Sequence, residues 1–109
     1  MDELKERKKI KSEVKHLNSA IKKLENEGYD VWANNVHYQG YGFKVILEKS
    51  WIDVYVSMNY GGEDSIIITK LEKKSNVLDK FCAKRLAEKE SKNFEELYDL
   101  VKELIGNER

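Results

Sequence analysis

The chain has 109 residues and equal numbers of basic and acidic side chains, 20 of each, so its formal net charge at pH 7 is zero. A neutral chain has no overall field to draw it to nucleic acid or to a membrane surface, so any electrostatic targeting must be local. This length suits one modest hydrophobic core, and we expect residues 1–109 to form a single domain.

The compartment is predicted from the cysteine count and the apolar runs. Cys82 is the one cysteine, which excludes an internal disulfide and is typical of a reducing compartment. No stretch resembles a signal peptide or a membrane span. We therefore expect a cytoplasmic protein without membrane contact.

Residues 2–27 are predicted to form one long helix, because apolar residues recur there at spacings of four and three positions. These residues are Ile10, Val14, Leu17, Ile21 and Leu24. Gly28 is expected to end the helix in the left-handed conformation. A helix of this length is longer than a short strand, so residues 1–9 are expected to extend beyond the edge of the sheet as an overhang.

Residues 29–71 are predicted to form an antiparallel meander of three or four strands, because apolar and polar residues alternate. The strands are expected at about 29–38, 43–48, 51–58 and 65–71. Asn34-Asn35 interrupts the first of them, and residues 39–42 are expected to form a turn. Lys49-Ser50 is expected to be the two-residue connection of a hairpin.

One face of this meander is predicted to be the core, because the alternation places only apolar residues on it. It carries Phe43, Val45, Leu47, Ile52, Val54, Val56, Met58, Ile66 and Ile68. The opposite face mixes aromatic, polar and charged residues, among them Lys44, Ile46, Glu48, Trp51, Asp53, Tyr55, Ser57, Ile67 and Thr69, with Trp32 beside them. Such a sheet has more apolar surface than one helical layer covers.

Two helices are predicted to close the chain within residues 75–105. Ser75 or Asn76 would cap the first, whose apolar positions are Leu78, Phe81, Cys82 and Leu86, with Lys84, Glu88 and Lys89 facing water. Asn93 would open the second, whose apolar positions are Phe94, Leu97, Tyr98, Val101, Leu104 and Ile105, and Gly106 would end it. The predicted fold is α+β: a long helix, an antiparallel meander and two C-terminal helices.

The sequence offers no pattern for chemistry. His16 and His37 are the only histidines, and with Cys82 they form no metal-binding spacing. Gly40-Tyr41-Gly42 has no helix after it, so it does not have the pattern of a phosphate-binding loop. We therefore expect neither an enzyme nor a cofactor or metal site.

Protein binding is the predicted function, because interfaces favour Trp and Tyr anchors surrounded by charges. The residues expected to contact a partner are Trp32, Trp51, Asp53, Tyr55, Tyr60, Glu63 and Asp64. The rings would project into water as anchors, and the carboxylates would orient a basic partner surface. The competing interpretation is that the C-terminal helices cover this face and bury it. A homodimer through the sheet face or the first helix is compatible with protein binding.

Nucleic-acid binding is the alternative function. It would use basic residues of the helix overhang together with the sheet aromatics, as single-strand binders do. These basic residues are Lys5, Arg7, Lys8, Lys9 and Lys11, with Lys44 on the sheet. Glu48 and Asp53 share the sheet face and would repel phosphates, so this function is expected less than protein binding.

The order of elements and three short motifs resemble small phage anti-CRISPR proteins that inhibit Cas9-type nucleases. The motifs are Tyr-Asp-Val at 29–31 after the helix, Val-Leu-Asp-Lys-Phe at 77–81 and Glu-Glu-Leu-Tyr-Asp at 95–99, and the resemblance covers about residues 20–105. That family blocks its nuclease largely by presenting carboxylates where DNA would bind. The resemblance implies an inhibitor that occupies a surface of a nucleic-acid-processing effector in the host cytoplasm.

Overall fold

The computed structural model describes residues 3–37, 40–57, 63–73 and 83–108, and for residues 3–12, 34–37, 40 and 41 it describes the backbone alone. In chain order the elements are helix α1 (Glu3–Asn26), strands β1 (Asp30–His37), β2 (Gly40–Ile46), β3 (Ser50–Ser57), β4 (Ser65–Glu72) and β5 (Arg85–Ser91), a 3₁₀ turn (Phe94–Glu96) and helix α2 (Leu97–Ile105). This is an α+β fold, as predicted. Neither described helix combines the length with the apolar character that crossing a membrane would require.

The five strands form one antiparallel sheet in the order β1-β2-β3-β4-β5, so each strand pairs with its neighbours in sequence. The predicted meander is therefore confirmed and gains one strand. Strands β1 and β5 are the two edges of the sheet, and β3 is central. The register of β1 shifts between Asn34 and His37, where the asparagine pair was expected to interrupt the strand.

Helix α1 ends at the predicted glycine through two capping hydrogen bonds. Gly28 has a φ of 94°, in the left-handed region. Its N–H donates to the carbonyl of Glu25 at 3.0 Å, and the Tyr29 N–H donates to the carbonyl of Leu24 at 3.1 Å. This pair of bonds is the Schellman motif, which satisfies carbonyls that the helix end leaves free. It turns the chain directly into β1.

The predicted core face of the sheet is confirmed. Both helices pack on it, and their buried residues join those of β2, β3 and β4 in one cluster. The members of the cluster are Leu17, Ala20, Leu24, Phe43, Val45, Leu47, Ile52, Val54, Val56, Ile66, Ile68, Leu97, Val101, Leu104 and Ile105. Met58, which was expected on this face, lies outside the described residues.

The second predicted C-terminal helix is α2, and its local signals act as expected. The Asn93 side chain accepts a hydrogen bond from the Glu95 N–H at 3.0 Å at the start of the 3₁₀ turn. Gly106, with a φ of 62°, donates its N–H to the carbonyl of Lys102 at the other end. The apolar stripe predicted from the sequence supplies the buried residues between these two ends.

The first predicted C-terminal helix is wrong over residues 85–91, which form β5. Position 86 was assigned to a buried stripe, yet Leu86 is 47% exposed. The segment is rich in charged residues with good helix propensity, but β4 offers an unpaired edge, and ladder hydrogen bonds along it outweigh that propensity. The residues expected to begin this helix, Ser75, Asn76, Leu78, Phe81 and Cys82, lie outside the described residues.

Two predicted turns also differ from the structure. Gly40, Tyr41 and Gly42 were expected in a turn, but they lie in β2. At Gly42 a Cβ atom would lie 1.9 Å from the carbonyl oxygen of Val54, so only glycine fits there. The hairpin between β2 and β3 turns at Glu48-Lys49, one residue earlier than expected, because the Leu47 N–H donates to the Ser50 carbonyl at 2.9 Å.

Candidate protein-binding site

The residues predicted to bind a partner lie mostly on the outer face, which is the surface of the sheet opposite the two helices. Pairing across the five strands arranges this face in three rows. In the order β1 to β5, the rows are Asp30–Ile46–Trp51–Leu71–Arg85, Trp32–Lys44–Asp53–Thr69–Glu88 and Asn34–Gly42–Tyr55–Ile67–Glu90. In each row the described side chains on β1 and β5 are exposed, and those on β2, β3 and β4 are half-buried or buried.

Trp51 was predicted to project into water, but its side chain is fully buried. It lies on the central strand, opposite Leu71, which is 2% exposed. Both residues are outside the core cluster that the helices cover. They form a separate buried pair on the outer face, named the outer pair. The indole N–H of Trp51 is buried and has no hydrogen-bond partner in the described part of the chain. Trp51 is therefore a structural residue and not an exposed anchor.

Two carboxylates expected at the rim of an interface are buried as well. Asp53 and Asp64 are each 7% exposed. Asp53 lies in the middle of its row, between Lys44 on β2 and Thr69 on β4. Neither carboxylate is without a partner. The predicted role of these two residues at an exposed rim is wrong.

The remaining predicted residues have mixed positions. Tyr55 is half-buried between Gly42 and Ile67 in its row. Glu63 is exposed at the start of the segment that leads into β4, and Tyr60 lies outside the described residues. The structure therefore does not bring all seven predicted residues together on one accessible surface.

Among the described residues, Trp32 is the predicted anchor whose side chain is exposed, with 51% of its surface accessible on edge strand β1. Its indole N–H donates a hydrogen bond of 3.0 Å to the Oδ1 atom of Asp30, two residues earlier on the same face. This bond fixes the indole along the strand and satisfies its one polar group. A partner that covers the ring therefore desolvates apolar surface without leaving an unpaired N–H.

Cross-strand neighbours on β2 extend the accessible surface around Trp32. Lys44 lies opposite Trp32, and Ile46 lies opposite Asp30; both are half-buried. The Lys44 ammonium lies 5.6 Å from the centre of the Trp51 ring, so this cation rests over the buried indole. These four residues, Asp30, Trp32, Lys44 and Ile46, are named the Trp32 patch. It combines an exposed ring, an aliphatic side chain and one charge of each sign.

The opposite end of the outer face, on β5, is ionic. Arg85 and Glu88 form a 3.0 Å ion pair, and Glu88 accepts a 3.4 Å hydrogen bond from Thr69 on β4. Glu90 accepts a 3.1 Å hydrogen bond from Ser65. These charges are paired within the protein, which leaves little for a partner to recognise except the exposed Leu86 side chain.

A cluster of titratable groups joins the end of α1 to α2. Tyr98 donates its hydroxyl hydrogen to Glu27, and this bond raises the pKa of the Tyr98 phenol above 10.0. The Lys102 ammonium donates to the Tyr29 hydroxyl at 3.1 Å and lies 3.6 Å from Glu27, and the bond to Tyr29 raises its pKa above 10.5. A neutral phenol and a charged amine are poor nucleophiles. The cluster therefore connects two helices and does not have the features of a catalytic site.

Metal and nucleic-acid candidates gain no support from the described side chains. Within the described ranges, no three His, Cys, Asp or Glu residues are placed to hold a metal ion together. His16 is half-buried on α1, whereas the His37 side chain and Cys82 lie outside the described part. The side chains of the basic overhang, Lys5, Arg7, Lys8, Lys9 and Lys11, also lie outside it. Lys44 is therefore the one nucleic-acid candidate with a described side chain.

Asp30 and Ile46 are the members of the Trp32 patch that the sequence interpretation did not assign to a site, and it did not place Asp30 on the outer face at all. The signal was present, because a strand places residues two apart on the same face and Asp30 precedes Trp32 by two positions. An acidic acceptor at that spacing can hold the indole N–H, which is the bond observed.

No protein-family model matches the chain, and neither a curated protein nor a solved structure shows significant similarity to it.

Proposed function

We propose that the protein is a non-enzymatic protein-binding module whose contact surface is the Trp32 patch. The observation that carries this proposal is the half-exposed Trp32 ring whose only polar group is already bonded to Asp30. A large ring held in one orientation loses little conformational freedom on binding, which is the property of an interface anchor. Lys44 and Asp30 then supply one cation and one anion beside it to set the orientation of the partner.

The chain contains a matched control for this proposal. Leu86 is the other large apolar side chain that is exposed among the described residues, at 47%, and it lies on the opposite edge of the sheet. The variants Trp32→Ala and Leu86→Ala remove comparable exposed surface from two distant places. A general loss of hydrophobic adhesion would affect both variants, whereas a specific site at the Trp32 patch affects the first alone.

The test uses the wild-type protein and both variants as immobilised bait, with quantitative mass spectrometry of the proteins retained from cell lysate. We expect a partner that the wild type and Leu86→Ala retain equally and that Trp32→Ala retains at least about tenfold less, since truncating an anchor costs about 2 kcal/mol or more. If every retained protein binds Trp32→Ala as strongly as it binds the wild type, the Trp32 patch is not the contact surface.

The resemblance to phage anti-CRISPR proteins supports a narrower proposal, in which the partner is a CRISPR effector nuclease that the module inhibits by occupying its surface. The test adds the purified protein to guided DNA cleavage by a purified effector of this class. Inhibition that Trp32→Ala loses and Leu86→Ala keeps would support it. Undiminished cleavage at saturating protein would remove this partner and leave the broader proposal standing.

Direct nucleic-acid binding is the competing function, and its signature is distinct. The Asp30 carboxylate lies beside the exposed ring. If a base stacked on that ring, the neighbouring phosphates would be repelled by this negative charge. Retention on immobilised DNA that falls steeply with salt, without a protein partner, would favour this alternative and contradict our proposal.

A further inference from the structure

The two edges of the sheet differ in how they are protected against pairing with another strand. Edge β5 carries Arg85, Glu88, Lys89 and Glu90, and its ladder has an irregularity opposite Lys70 and Leu71. Charges and bulges of this kind block edge-to-edge association. Edge β1 has neither Lys nor Pro, and its exposed residues include Trp32 and Ala33. Within the described residues, β1 pairs with β2 alone.

The hydrogen-bond alternation of the sheet shows which backbone groups of β1 point outward. The bond from the Leu47 N–H to the Ser50 carbonyl marks a hydrogen-bonded pair, and such pairs recur at every second position of an antiparallel ladder. Residues 42, 44 and 46 of β2 therefore direct their backbone groups toward β1, where they bond to residues 30, 32 and 34. The N–H and C=O groups of Val31 and Ala33 consequently point to the free edge.

We propose that β1 pairs with β1 of a second copy of this chain, antiparallel and with Trp32 opposite Trp32 of that copy. In this register both outward residues are used, because Val31 of each chain falls opposite Ala33 of the other and forms a hydrogen-bonded pair with it. The two Trp32 residues then form a non-hydrogen-bonded pair, the closer kind, in which side chains pack against each other on the outer face.

Three features favour a second copy over a strand of another protein. The regular part of the β1 ladder runs from Asp30 to Asn34, so its centre is Trp32 and a two-fold axis there pairs the whole segment with itself. Asp30, its single charge, falls opposite the uncharged position 34, so no like charges meet. The Trp32 N–H is already bonded within its own chain, so ring-to-ring packing needs no new polar partner.

This inference goes beyond the proposed function, because it uses the backbone edge of β1 and leaves the outer side of the rings open to another protein. Pairing of two five-residue segments buries far less than the ~1,200 Å² of a stable interface. The dimer is therefore concentration-dependent and weaker than a permanent one. It brings two Trp32 patches together at the centre of a continuous sheet.

Analytical ultracentrifugation over a range of protein concentrations tests the association with a matched pair of variants. Ala33→Pro removes an outward N–H that β2 does not use, and proline is tolerated on edge strands. Ala33→Thr keeps that N–H. We expect wild type and Ala33→Thr to show the same concentration-dependent dimer and Ala33→Pro to stay monomeric. A wild-type protein that is monomeric up to millimolar concentration, or a folded Ala33→Pro that dimerises normally, overturns the proposal.

Cysteine cross-linking in a Cys82→Ser background tests the register without relying on a proline variant. The Cα atoms of a non-hydrogen-bonded pair are about 4.5 Å apart, within disulfide range, so Trp32→Cys is expected to form a covalent dimer under mild oxidation. Two Asp30→Cys positions would be about 13 Å apart at ~3.3 Å per residue, so this variant is expected to form no disulfide-linked dimer. Equal cross-linking of both variants, or of neither, contradicts the register.

The two proposals fail in different ways. If Ala33→Pro is monomeric and still retains the same protein partner, self-association and partner binding are separate properties of β1. If the wild type is monomeric while Trp32→Ala loses its partner, the dimer is wrong and the proposed function stands.

Discussion

At the scale of single residues, the two tryptophans of the outer face have opposite roles. Trp51 is fully buried on the central strand, whereas half of the Trp32 surface is exposed on an edge strand. We expect Trp51→Ala to lower the free energy of unfolding by about 3–5 kcal/mol, because a large buried ring is lost and a cavity remains. Trp32→Ala should lower it by less than about 1 kcal/mol. Urea unfolding of both variants measures the difference, and similar losses would contradict the assignment of roles.

The sequence could place both rings on one face but could not separate their exposure. Alternation along a strand fixes the face on which a side chain lies, and that prediction holds for Trp32, Lys44 and Trp51. Exposure depends on the position of the strand within the sheet, which depends on pairing between segments far apart in sequence. Trp32 is on β1, which has one neighbouring strand, and Trp51 is on β3, which has two.

Gly42 is a residue whose side-chain position is filled by the neighbouring strand. A Cβ atom there would lie 1.9 Å from the carbonyl oxygen of Val54 and 2.9 Å from the Cα atom of Tyr55. Because both are backbone atoms, no rotamer change can relieve the clash. We expect Gly42→Ala to lower the free energy of unfolding by about 3 kcal/mol or more.

Gly106→Ala is the control for this substitution. Its φ is 62° and its ψ is −127°, and no atom lies within 4 Å of the added Cβ, so it tests the cost of backbone strain without a clash. That cost is about 1–3 kcal/mol. A Gly42→Ala variant that is as stable in chemical denaturation as Gly106→Ala would show that β2 and β3 can separate at this point.

At the scale of elements, local signals predicted α1, α2 and the hairpin between β2 and β3, and failed for β5. Asn93 caps the 3₁₀ turn that leads into α2, and Gly106 ends α2, each through a contact with a residue a few positions away, so the sequence contains that information. Strand β5 depends on the free edge of β4, which is present only once the sheet has formed. The residues at 85–91 have good helix propensity, and their charges also suit an exposed edge strand, so the composition of this segment alone pointed to the wrong structure.

Glu108, after α2, connects that helix to the turn between β2 and β3. Its carboxylate accepts hydrogen bonds from the Lys49 N–H and the Ser50 hydroxyl, both at 2.8 Å, and lies 3.2 Å from the Lys70 ammonium. Burial acts to raise the pKa of this carboxyl, but the bonds from Ser50, Lys49 and Lys70 together outweigh it and hold the pKa below its usual value of 4.5. The charged form is therefore bound more strongly in the folded state.

This lowered pKa predicts how stability depends on pH. A depressed pKa in the folded state gives a contribution that is complete above about pH 4.5 and is lost as the pH falls through the folded-state pKa. We expect Glu108→Gln to lower the free energy of unfolding by about 1–2 kcal/mol at pH 7, with the difference from wild type shrinking below pH 4.5. Denaturant unfolding at a series of pH values measures this.

Glu103→Gln is the control, because Glu103 also pairs with a lysine, Lys89, at 2.6 Å but is 60% exposed. An exposed pair contributes little, so we expect a loss below about 1 kcal/mol. If Glu108→Gln is no more destabilising than Glu103→Gln at pH 7, the connection to the hairpin turn is unimportant for stability.

At the scale of the whole molecule, the two described helices pack on the same face of the sheet. Helices α1 and α2 share a core cluster with the inner face, while Trp51 and Leu71 are buried separately on the outer face. Strand β3 joins the two regions, because Trp51 and Ile52 are consecutive and point to opposite faces. The core cluster on the inner face and the outer pair therefore both depend on the backbone of β3.

This shared strand predicts that the inner and outer sides unfold together. Ile105 is 1% exposed in the inner cluster, and Ile105→Val should cost about 0.5–1.5 kcal/mol. In a Trp32→Phe background, tryptophan fluorescence reports on Trp51 alone, and far-ultraviolet circular dichroism reports on the helices and the sheet. We expect Ile105→Val to shift both denaturation midpoints by the same amount, as in a two-state transition. If the Trp51 signal keeps its original midpoint while the circular dichroism shifts, the outer pair is held by interactions that survive the loss of the inner core.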